Sequence, residues 1–410
     1  MRTAPPDSQS TGAAPARHAR WRSRLATRLR LVVVALLLVA LAGGVLAYSQ
    51  MQGNITRHDV AGLLGDDRPP REEPNAAPAD PRAGQALNLL VLGSDSRAGA
   101  NDDGSGIGGM RSDTTMIVHV AADRSRVEVV SIPRDTLVDV PDCQLPDGST
   151  IPAREDAIFT SAFASAGKTG DVAAAAACTI RTVESLTGVY IDDFVVVDFA
   201  GFVNVVDALG GVPMYVPEPI EDPRAELSLA AGCQVLDGHD ALGFARVRKS
   251  VGDGSDISRI GRQQELVGAI AREALGKHLL TDLPSLYRFL DAATSTLTTG
   301  PVIGELTTLA GLANSLRGID PADITFVTMP FQWAGNRVVP AAEATDLWAA
   351  LAADQPVAAS LAGTGQAPAP DTAEAAPAPE PNADTEPVAP AADAAPDPGD
   401  GQAAVPACTK

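Results

Sequence analysis

An uncharged apolar run of eighteen residues, Leu31–Tyr48, divides this chain of 410 residues into two unequal parts. Its length is about the minimum that crosses the hydrocarbon core of a bilayer as a helix. Residues 1–30 contain seven arginines and one acid, and this flank favours a cytoplasmic N-terminus with everything after Tyr48 exported. The alternative is a cleaved signal peptide, although its apolar segment is normally only ~7–15 residues long. We predict a retained signal anchor over 31–48.

Two further segments have compositions that oppose folding. Residues 49–86 are rich in proline and in charges of both signs, which predicts a flexible linker. Residues 360–410 contain ten prolines, eight acids and one lysine, with no aromatic side chain. Such a segment cannot bury enough apolar surface to offset the entropy lost on ordering. We therefore predict a disordered acidic tail over 356–410 and one folded extracytoplasmic domain over 87–355.

The overall charge disfavours nucleic acid as a partner, and the spacing of the cysteines disfavours a zinc site. The net charge of the chain is −20, and an acidic exterior argues against nucleic acid as a partner. The four cysteines have no C-x-x-C spacing, which disfavours a zinc site, whereas export permits disulfides. We expect Cys143 to pair first with Cys178, because both lie in one stretch of the domain. Cys233 and Cys408 are either free or paired.

Apolar β-rich runs interleave with helical patterns through the predicted domain. Leu87–Gly93 reads as a buried strand, and two later runs separated by a short polar turn read as a hairpin. Strands interleaved with helices predict an α-β-α sandwich with a central mixed sheet. The remaining expected strands are Thr114–Ala121, Val127–Ile132, Val195–Val197 and Val212–Val216, and the expected helices are Val172–Leu186, Phe199–Leu209 and Ser258–Lys277.

Polar side chains follow the ends of the predicted strands, and they are almost all arginines and carboxylates. Neither a Ser-His-Asp order, a P-loop nor a metal-binding histidine spacing accompanies them. A set of arginines and carboxylates suits a site that binds a phosphate group together with Mg²⁺. The carboxylates would hold the cation, and the guanidinium groups would neutralise the phosphate oxygens. The residues are Ser94, Asp95, Arg97, Arg111, Asp113, Arg134, Asp135, Arg246, Arg248, Arg259 and Arg262.

The segment Phe244–Gln264 carries a local charge of +3 within this acidic chain. If Arg246 and Arg248 lie on a strand, both guanidinium groups point to one face and suit bidentate contacts with phosphate. Arg259 and Arg262 would then lie in the first turns of a helix, where the helix dipole also attracts anions. The alternative is a solvated basic face.

Several blocks in order closely resemble the LytR–CpsA–Psr family of cell-wall enzymes, in its actinobacterial type. The resemblance runs from about residue 88 to about residue 276, with weaker similarity to near residue 330. The blocks are LLVLGSDSR (89–97), RSDTT (111–115), SIPRDT (131–136), VDFAGF (197–202), LGGV (209–212), LDGHDAL (236–242) and RQQ (262–264).

The resemblance implies an extracytoplasmic phosphotransferase that is anchored in the cell membrane. Such an enzyme moves a glycopolymer from a polyprenyl-pyrophosphate carrier onto peptidoglycan through a phosphodiester. The composition is typical of a high-GC actinobacterium, in which the polymer would be arabinogalactan or another wall polysaccharide. The same site with water as acceptor would make a pyrophosphatase, and binding without transfer would make a carrier or scaffold of wall assembly.

The resemblance also assigns roles to residues. Asp95 and Asp113 match the Mg²⁺-associated aspartates, and Arg134, Asp135, Arg248 and Asp113 are the expected catalytic residues. Asp135 is a candidate general base, with an ion pair to Arg134 as its alternative. The expected pyrophosphate-binding residues are Ser94, Arg97, Arg111, Arg246, Arg259, Arg262 and Gln263. The expected lipid groove comprises Phe194, Val196, Phe199, Phe202, Val203 and Val206, for which packing in the core is the alternative.

Two positions depart from the pattern of the family. Thr160 stands where many members have asparagine, and Phe244 stands where tyrosine is commoner. Threonine has no side-chain amide, so a role of the asparagine amide in other members does not carry over to this chain.

Overall fold

The computed structural model describes residues 17–71, 80, 82–96, 110–247, 256–276, 282–320, 323–357 and 408, with the backbone alone for 17–27. Its helices are α1 (Arg17–Asn54), α2 (Ala61–Leu64), α3 (Ser161–Ala166), α4 (Val172–Thr187), α5 (Phe199–Ala208), α6 (Gly238–Arg246), α7 (Asp256–Ala274), α8 (Leu283–Thr296), α9 (Leu306–Ser315) and α10 (Ala342–Ala352).

The strands are short except in the centre of the molecule. They are β1 (Thr56–Arg57), β2 (Leu87–Ser94), β3 (Ser112–Val120), β4 (Val127–Ser131), β5 (Leu137–Val140), β6 (Cys143–Gln144), β7 (Thr150–Ile151), β8 (Arg154–Ile158), β9 (Asp193–Asp198), β10 (Val212–Val216), β11 (Ile220–Asp222), β12 (Leu227–Leu229), β13 (Gly232–Leu236), β14 (Leu297–Thr299), β15 (Ile324–Thr328), β16 (Phe331–Ala334) and β17 (Arg337–Pro340).

Contacts divide the chain after Gly53. Helix α1 contains one stretch, Arg28–Asn54, that is long and apolar enough to cross a membrane. This stretch includes the predicted anchor at 31–48, and the helix continues beyond it at both ends.

The domain after Gly53 is built on a seven-stranded mixed sheet in the order β1-β14-β9-β2-β3-β4-β15. Strand β2 pairs parallel with β9 and antiparallel with β3, and β3 and β4 form the predicted hairpin. A parallel partner requires a crossover connection, and the long segment between β4 and β9 supplies one that contains α3 and α4.

Helices cover both faces of the sheet, as the predicted α-β-α sandwich requires. On one face, Leu90, Leu92 and Ile117 pack with residues of α3, α4 and α10. On the other face, Met116 and Val129 pack with residues of α7 and α9. Side chains alternate between the two faces of a strand, so β2 supplies residues to both layers. A smaller cluster around α5, α6 and the β10–β13 pair lies beside the sandwich.

The predicted flexible linker at 49–86 is corrected over much of its length. Strand β1 joins the main sheet through β14. Arg68 donates to Glu184 at 2.5 Å, and Arg71 and Arg82 both pair with the buried carboxylate of Asp192. Composition suggests a spacer, but these arginines have specific buried partners, and a buried charge needs pairing. Residues 72–79 and 81 lie outside the described part of the chain.

The structure contains two disulfides. Cys143 is bonded to Cys178, with their Cα atoms 5.2 Å apart, and this bridge ties β6 to α4. Cys233 is bonded to Cys408, with a Cα–Cα distance of 5.5 Å. Apart from Cys408, the predicted acidic tail from residue 358 onward lies outside the described residues.

Asp193 makes the stability of the domain depend on pH. Burial raises its pKa from 3.8 to about 6, against the hydrogen bonds that its carboxylate accepts from the backbone, which include the amides of Phe194 and Ile303. Between about pH 4 and 6 the folded chain holds this proton after the unfolded chain has lost it. The contribution of Asp193 to the free energy of unfolding should therefore fall by about 3 kcal/mol as the pH rises through this range.

The Asp193→Asn variant should lack this fall. Urea unfolding of both proteins at several pH values between about 4 and 7 measures the difference between their stabilities. That difference should shift in favour of the variant as the pH rises. Parallel pH profiles for the two proteins would contradict the assignment.

Candidate active site

The order of the strands brings several of the predicted site residues to one end of the sheet. Strands β2 and β4 end there, and the antiparallel β3 begins there. The β2–β3 register shifts between Gly93 and Ser94. Just beyond this irregularity, the Asp95 carboxylate accepts a hydrogen bond from the Arg111 amide at 2.5 Å. Asp95 and Asp113 are thereby held at the same end of the β2–β3 pair.

The guanidinium group of Arg134 lies at the centre of this end. Its Nη1 atom is 2.6 Å from Asp113 Oδ1, and its Nε atom is 3.4 Å from Asp256 Oδ1 and 3.6 Å from Asp135 Oδ2. Burial alone would lower the pKa of Arg134, but these three carboxylates raise it above its usual value. One cation therefore holds together carboxylates from β3, from the segment after β4 and from α7.

Asp256 is the first residue of α7, and sequence reasoning did not assign it to the site. It forms an ion pair with Arg259 one turn later, and its Oδ2 atom accepts from the Arg134 amide at 3.3 Å. Burial raises its pKa, against the opposing effect of the two arginines. In the sequence, Asp256 is an acid just before the apolar pattern of a helix. Acids are common at that position, so the pattern does not identify Asp256 as a site residue.

The arginines of α7 are buried rather than solvated. Arg259 is 3% exposed and donates to the Asp113 carbonyl at 3.2 Å. Arg262 donates to the Val247 carbonyl at 2.5 Å, and Gln263 donates to the Ala245 carbonyl at 3.2 Å. The latter two side chains therefore fix the end of α6 against α7. This burial excludes the solvated basic face for both arginines.

Arg246 is not on a strand, as the sequence pattern had suggested, but is the last residue of α6. The helix begins at the capping side chain of Asp237 and continues through residue 246. The Arg246 guanidinium carbon lies 4.9 Å from the centroid of the Phe199 ring. Arg97 and Arg248 lie outside the described residues.

Asp135 lies between two cations. Besides Arg134, it contacts Arg337, whose Nη1 atom is 2.5 Å from Asp135 Oδ1. Arg337 begins β17, and the bridge between Thr136 and Val338 holds that strand beside the site. No local motif marks Arg337, because tertiary pairing alone brings it there. The ion-pair alternative for Asp135 is thus present in the structure.

Three further residues lie next to the cluster around Arg134, namely Ser94, Arg111 and Thr160. Ser94 is buried, and its hydroxyl accepts from the Ser96 amide at 3.2 Å, whereas Arg111 is exposed. Thr160 donates its hydroxyl to the Ser112 carbonyl at 2.8 Å, and its amide donates to the Arg134 carbonyl at 3.1 Å. Thr160, which departs from the family pattern, therefore ties the start of β3 to the segment after β4.

Most of the expected lipid-groove residues are core residues in this structure. Phe194 and Val196 lie in the main core cluster and Val206 in the smaller one, and Val203 is also buried. For Phe194 and Val196 the reason is the position of β9, which lies inside the sheet between β2 and β14, and Val203 and Val206 lie on the buried side of α5. Phe199 and Phe202 remain partly accessible.

Asp95 and Asp113 suit a magnesium ion that is shared with a substrate. Among the described residues, no three Asp, Glu, His or Cys side chains form a group that could hold a metal. Mg²⁺ is commonly bound by one or two carboxylates together with substrate phosphates and water. The donor set therefore fits Mg²⁺ in the presence of a phosphate ligand.

The chain is similar to proteins of bacterial cell-wall assembly. A family model described as the LytR_cpsA_psr family matches residues 48–354. Two proteins of Corynebacterium glutamicum also align with this chain. The first, "Probable cell wall biosynthesis protein LcpB", is 33% identical over 252 residues, and the alignment covers 60% of this chain and 55% of the relative. "Cell wall biosynthesis protein LcpA" is 30% identical over 263 residues, with 60% and 50% covered. The chain thus spans about half the length of each.

More distant proteins share the similarity. "Polyisoprenyl-teichoic acid--peptidoglycan teichoic acid transferase TagU" of Halalkalibacterium halodurans is 28% identical over 251 residues, which cover 59% of this chain and 70% of the relative. A solved structure, "LytR-Csp2A-Psr enzyme from Actinomyces oris", superposes with a TM-score of 0.51 at 21% identity, over 73% of this chain and 96% of that one. The structural match shows a shared fold.

The ion pairs of Asp256 should matter to the activity of the site. Asp256→Asn keeps the shape of the side chain but removes the charge that Arg134 and Arg259 share. A charge-assisted hydrogen bond contributes ~1.5–3 kcal/mol, so turnover should fall about 10- to 100-fold. Asp346→Asn, at an exposed position on α10, is the matched control and should retain full activity. Equal activity of both variants would exclude Asp256 from the working site.

Proposed function

The chain belongs to the LytR_cpsA_psr family, and from that premise we propose that it transfers a glycopolymer from a polyprenyl-diphosphate carrier onto peptidoglycan. The observation that carries the proposal is the cluster around Arg134, in which arginines and carboxylates from four parts of the chain converge at one end of the sheet. Guanidinium groups bind phosphate through paired hydrogen bonds. The name of the TagU relative, a polyisoprenyl-teichoic acid--peptidoglycan teichoic acid transferase, supports a polyisoprenyl-linked donor and a peptidoglycan acceptor.

The proposed location is the outer surface of the cell membrane. The Arg28–Asn54 stretch would cross the bilayer, and the arginines before it favour a cytoplasmic N-terminus. Two disulfides in the domain agree with an oxidising compartment. The domain would then share a compartment with peptidoglycan and with the lipid-linked polymer.

The arginines would stabilise the charge that develops during transfer. A peptidoglycan sugar hydroxyl forms the new bond to the phosphorus next to the glycopolymer, and the bond from that phosphorus to the bridging oxygen breaks. Polyprenyl phosphate leaves with the electron pair. Arg134 and Arg259 are placed to neutralise these oxygens, because both already contact Asp113 at the strand end.

The carboxylates would divide the remaining tasks. Asp95 and Asp113 would hold Mg²⁺, which when bound supplies charge neutralisation to the diphosphate. Asp135 would accept the proton of the attacking hydroxyl, with its carboxylate positioned by Arg337. Arabinogalactan or a related wall polysaccharide is the polymer that we propose.

A reconstituted reaction tests the function. The full chain would be incubated in lipid nanodiscs with a synthetic polyprenyl-diphosphate glycan, muropeptides and Mg²⁺, and the products followed by mass spectrometry. We expect a phosphodiester-linked conjugate, and Asp113→Asn should reduce its formation and require more Mg²⁺. Release of phosphorylated glycan without conjugate would indicate a hydrolase instead. Binding without turnover would indicate a carrier protein.

The planar guanidinium group of Arg134 should be essential for conjugate formation. In Arg134→Lys an ammonium group keeps the charge but cannot reach Asp113 and Asp256 together with the geometry of the guanidinium. We expect conjugate formation to fall ~10²- to 10³-fold, while circular dichroism and Tm show an intact fold. Arg317→Lys, on an exposed arginine, is the matched control. Wild-type turnover by Arg134→Lys would rule out bidentate recognition at this position.

A further inference from the structure

The domain has an open cleft between the β6–β7 hairpin and α3, beside the site around Arg134. The volume of the cleft is about 460 Å³, which is in the range that holds a short peptide or a small glycan rather than a single ion. The Cys143–Cys178 bridge ties β6 to α4 and so fixes the hairpin wall. The apolar part of the lining comes from Leu145, Ile151, Pro152 and Ala166.

Two cations line this cleft, and none of the described residues that line it is an acid. Arg154 is half-buried and Lys168 is exposed. The ion pairs in the described part of the chain involve other cations. Acids outnumber lysines and arginines by 51 to 31 in the whole chain. Two cations that lack acidic partners in so acidic a protein favour an anionic ligand from outside the chain.

The Arg154 end of the cleft adjoins the candidate active site. The Arg154 guanidinium donates to the Ser161 carbonyl at 3.2 Å. The preceding residue, Thr160, donates its amide to the Arg134 carbonyl at 3.1 Å. Only Thr160 therefore separates this end of the cleft from the segment that carries the central arginine of the site. The other cation, Lys168, lies about 10 Å from Ser161 along α3 and the turn that follows it.

The acceptor of the proposed reaction carries a ligand of this chemistry. Each muramyl sugar of peptidoglycan bears a short peptide, the stem peptide, which has methyl side chains and carboxylate groups. Three extended residues span about 10 Å, which matches the separation between Ser161 and Lys168. With a sugar hydroxyl at the diphosphate, the stem peptide could extend along the cleft. Its methyl groups would then contact the apolar lining, and its carboxylates would meet the two cations.

We propose that the cleft binds the stem peptide of the peptidoglycan acceptor, and that Arg154 and Lys168 recognise its carboxylates. This proposal rests on the proposed transfer to peptidoglycan and names the part of the acceptor that is bound away from the reacting hydroxyl. Binding the peptide would hold that hydroxyl near the diphosphate and raise its effective concentration there. The cleft would thus favour transfer to peptidoglycan over hydrolysis by water.

A binding measurement without the lipid-linked donor tests the cleft directly. The full chain in lipid nanodiscs would be titrated against fluorescent N-acetylmuramyl-Ala-Glu-Ala, which has free carboxylates, and against the same probe with its carboxylates converted to amides. Fluorescence anisotropy measures the Kd of each probe. We expect the carboxylate probe to bind severalfold more tightly, because only its charge complements the two cations. Equal affinity for the two probes, or binding of neither, would overturn the proposal.

Two variants assign the binding to the cleft. Lys168→Glu should weaken binding of the carboxylate probe severalfold, because it replaces an attraction with a repulsion, and its exposed position keeps the fold intact. Arg154→Gln should weaken this binding at least about tenfold, through loss of a charged hydrogen-bond donor. Arg224→Glu, at an exposed position in the β11–β12 turn, is the matched charge reversal and should bind both probes like the wild-type chain. Wild-type affinity in the Lys168 and Arg154 variants would contradict the assignment.

The transfer reaction separates failure of this proposal from failure of the proposed function. With the carboxylate muropeptide as acceptor, Lys168→Glu should raise KM for the acceptor severalfold. Its kcat and its KM for the polyprenyl-diphosphate donor should be unchanged. An unchanged KM for the acceptor would overturn the cleft as an acceptor site while the transfer function stands. Selective binding of the carboxylate probe without any conjugate from the wild-type chain would overturn the transfer function and leave the cleft as a site for the peptide.

Discussion

The ion pairs of Arg134 organise the end of the sheet on which the proposed chemistry depends. Arg134, Arg259 and Arg337 lie among Asp113, Asp135 and Asp256, so the cluster contains equal numbers of cations and anions. The carboxylates remove the repulsion that closely spaced guanidinium groups would otherwise suffer. The buried members of such a cluster, among them Asp256 and Arg259, need a partner because an unpaired buried charge is costly. The protein can thus keep phosphate-binding side chains in place before a phosphate arrives.

Ion pairs between arginine and aspartate also occur at the opposite end of the sheet, where they have a structural role. There, Asp192 holds Arg71 and Arg82, and Arg124 donates to Asp80 at 3.1 Å. These pairs attach the segment before β2 to the start of the central strands. At the site end the arginines are positioned to bind an anion, whereas at the opposite end they hold one segment of the chain against another. Both ends depend on arginine because its planar fork can satisfy two acceptors at once.

The sequence was sufficient to predict the sandwich, because its strands are continuous apolar runs and its longer helices have clear periodicity and caps. It also predicted the residues that lie at the ends of β2, β3 and β4, since strand ends follow directly from that pattern. It could not predict Arg337 or the partners of Asp192, which come together only through tertiary pairing. Arg246 was placed on a strand because an Arg-x-Arg spacing does not reveal the helix that Asp237 begins.

The bridge between Cys233 and Cys408 changes the connectivity of the acidic segment. It closes a covalent ring with a sequence separation of 175 residues, which includes α7, Arg337 and the whole proline-rich stretch from 360 to 407. A single proteolytic cut anywhere in that stretch would release no fragment until the bridge is reduced. The segment between α10 and Cys408 is consequently attached to the domain at both of its ends, at α10 through the chain itself and at Cys408 through the bridge to β13.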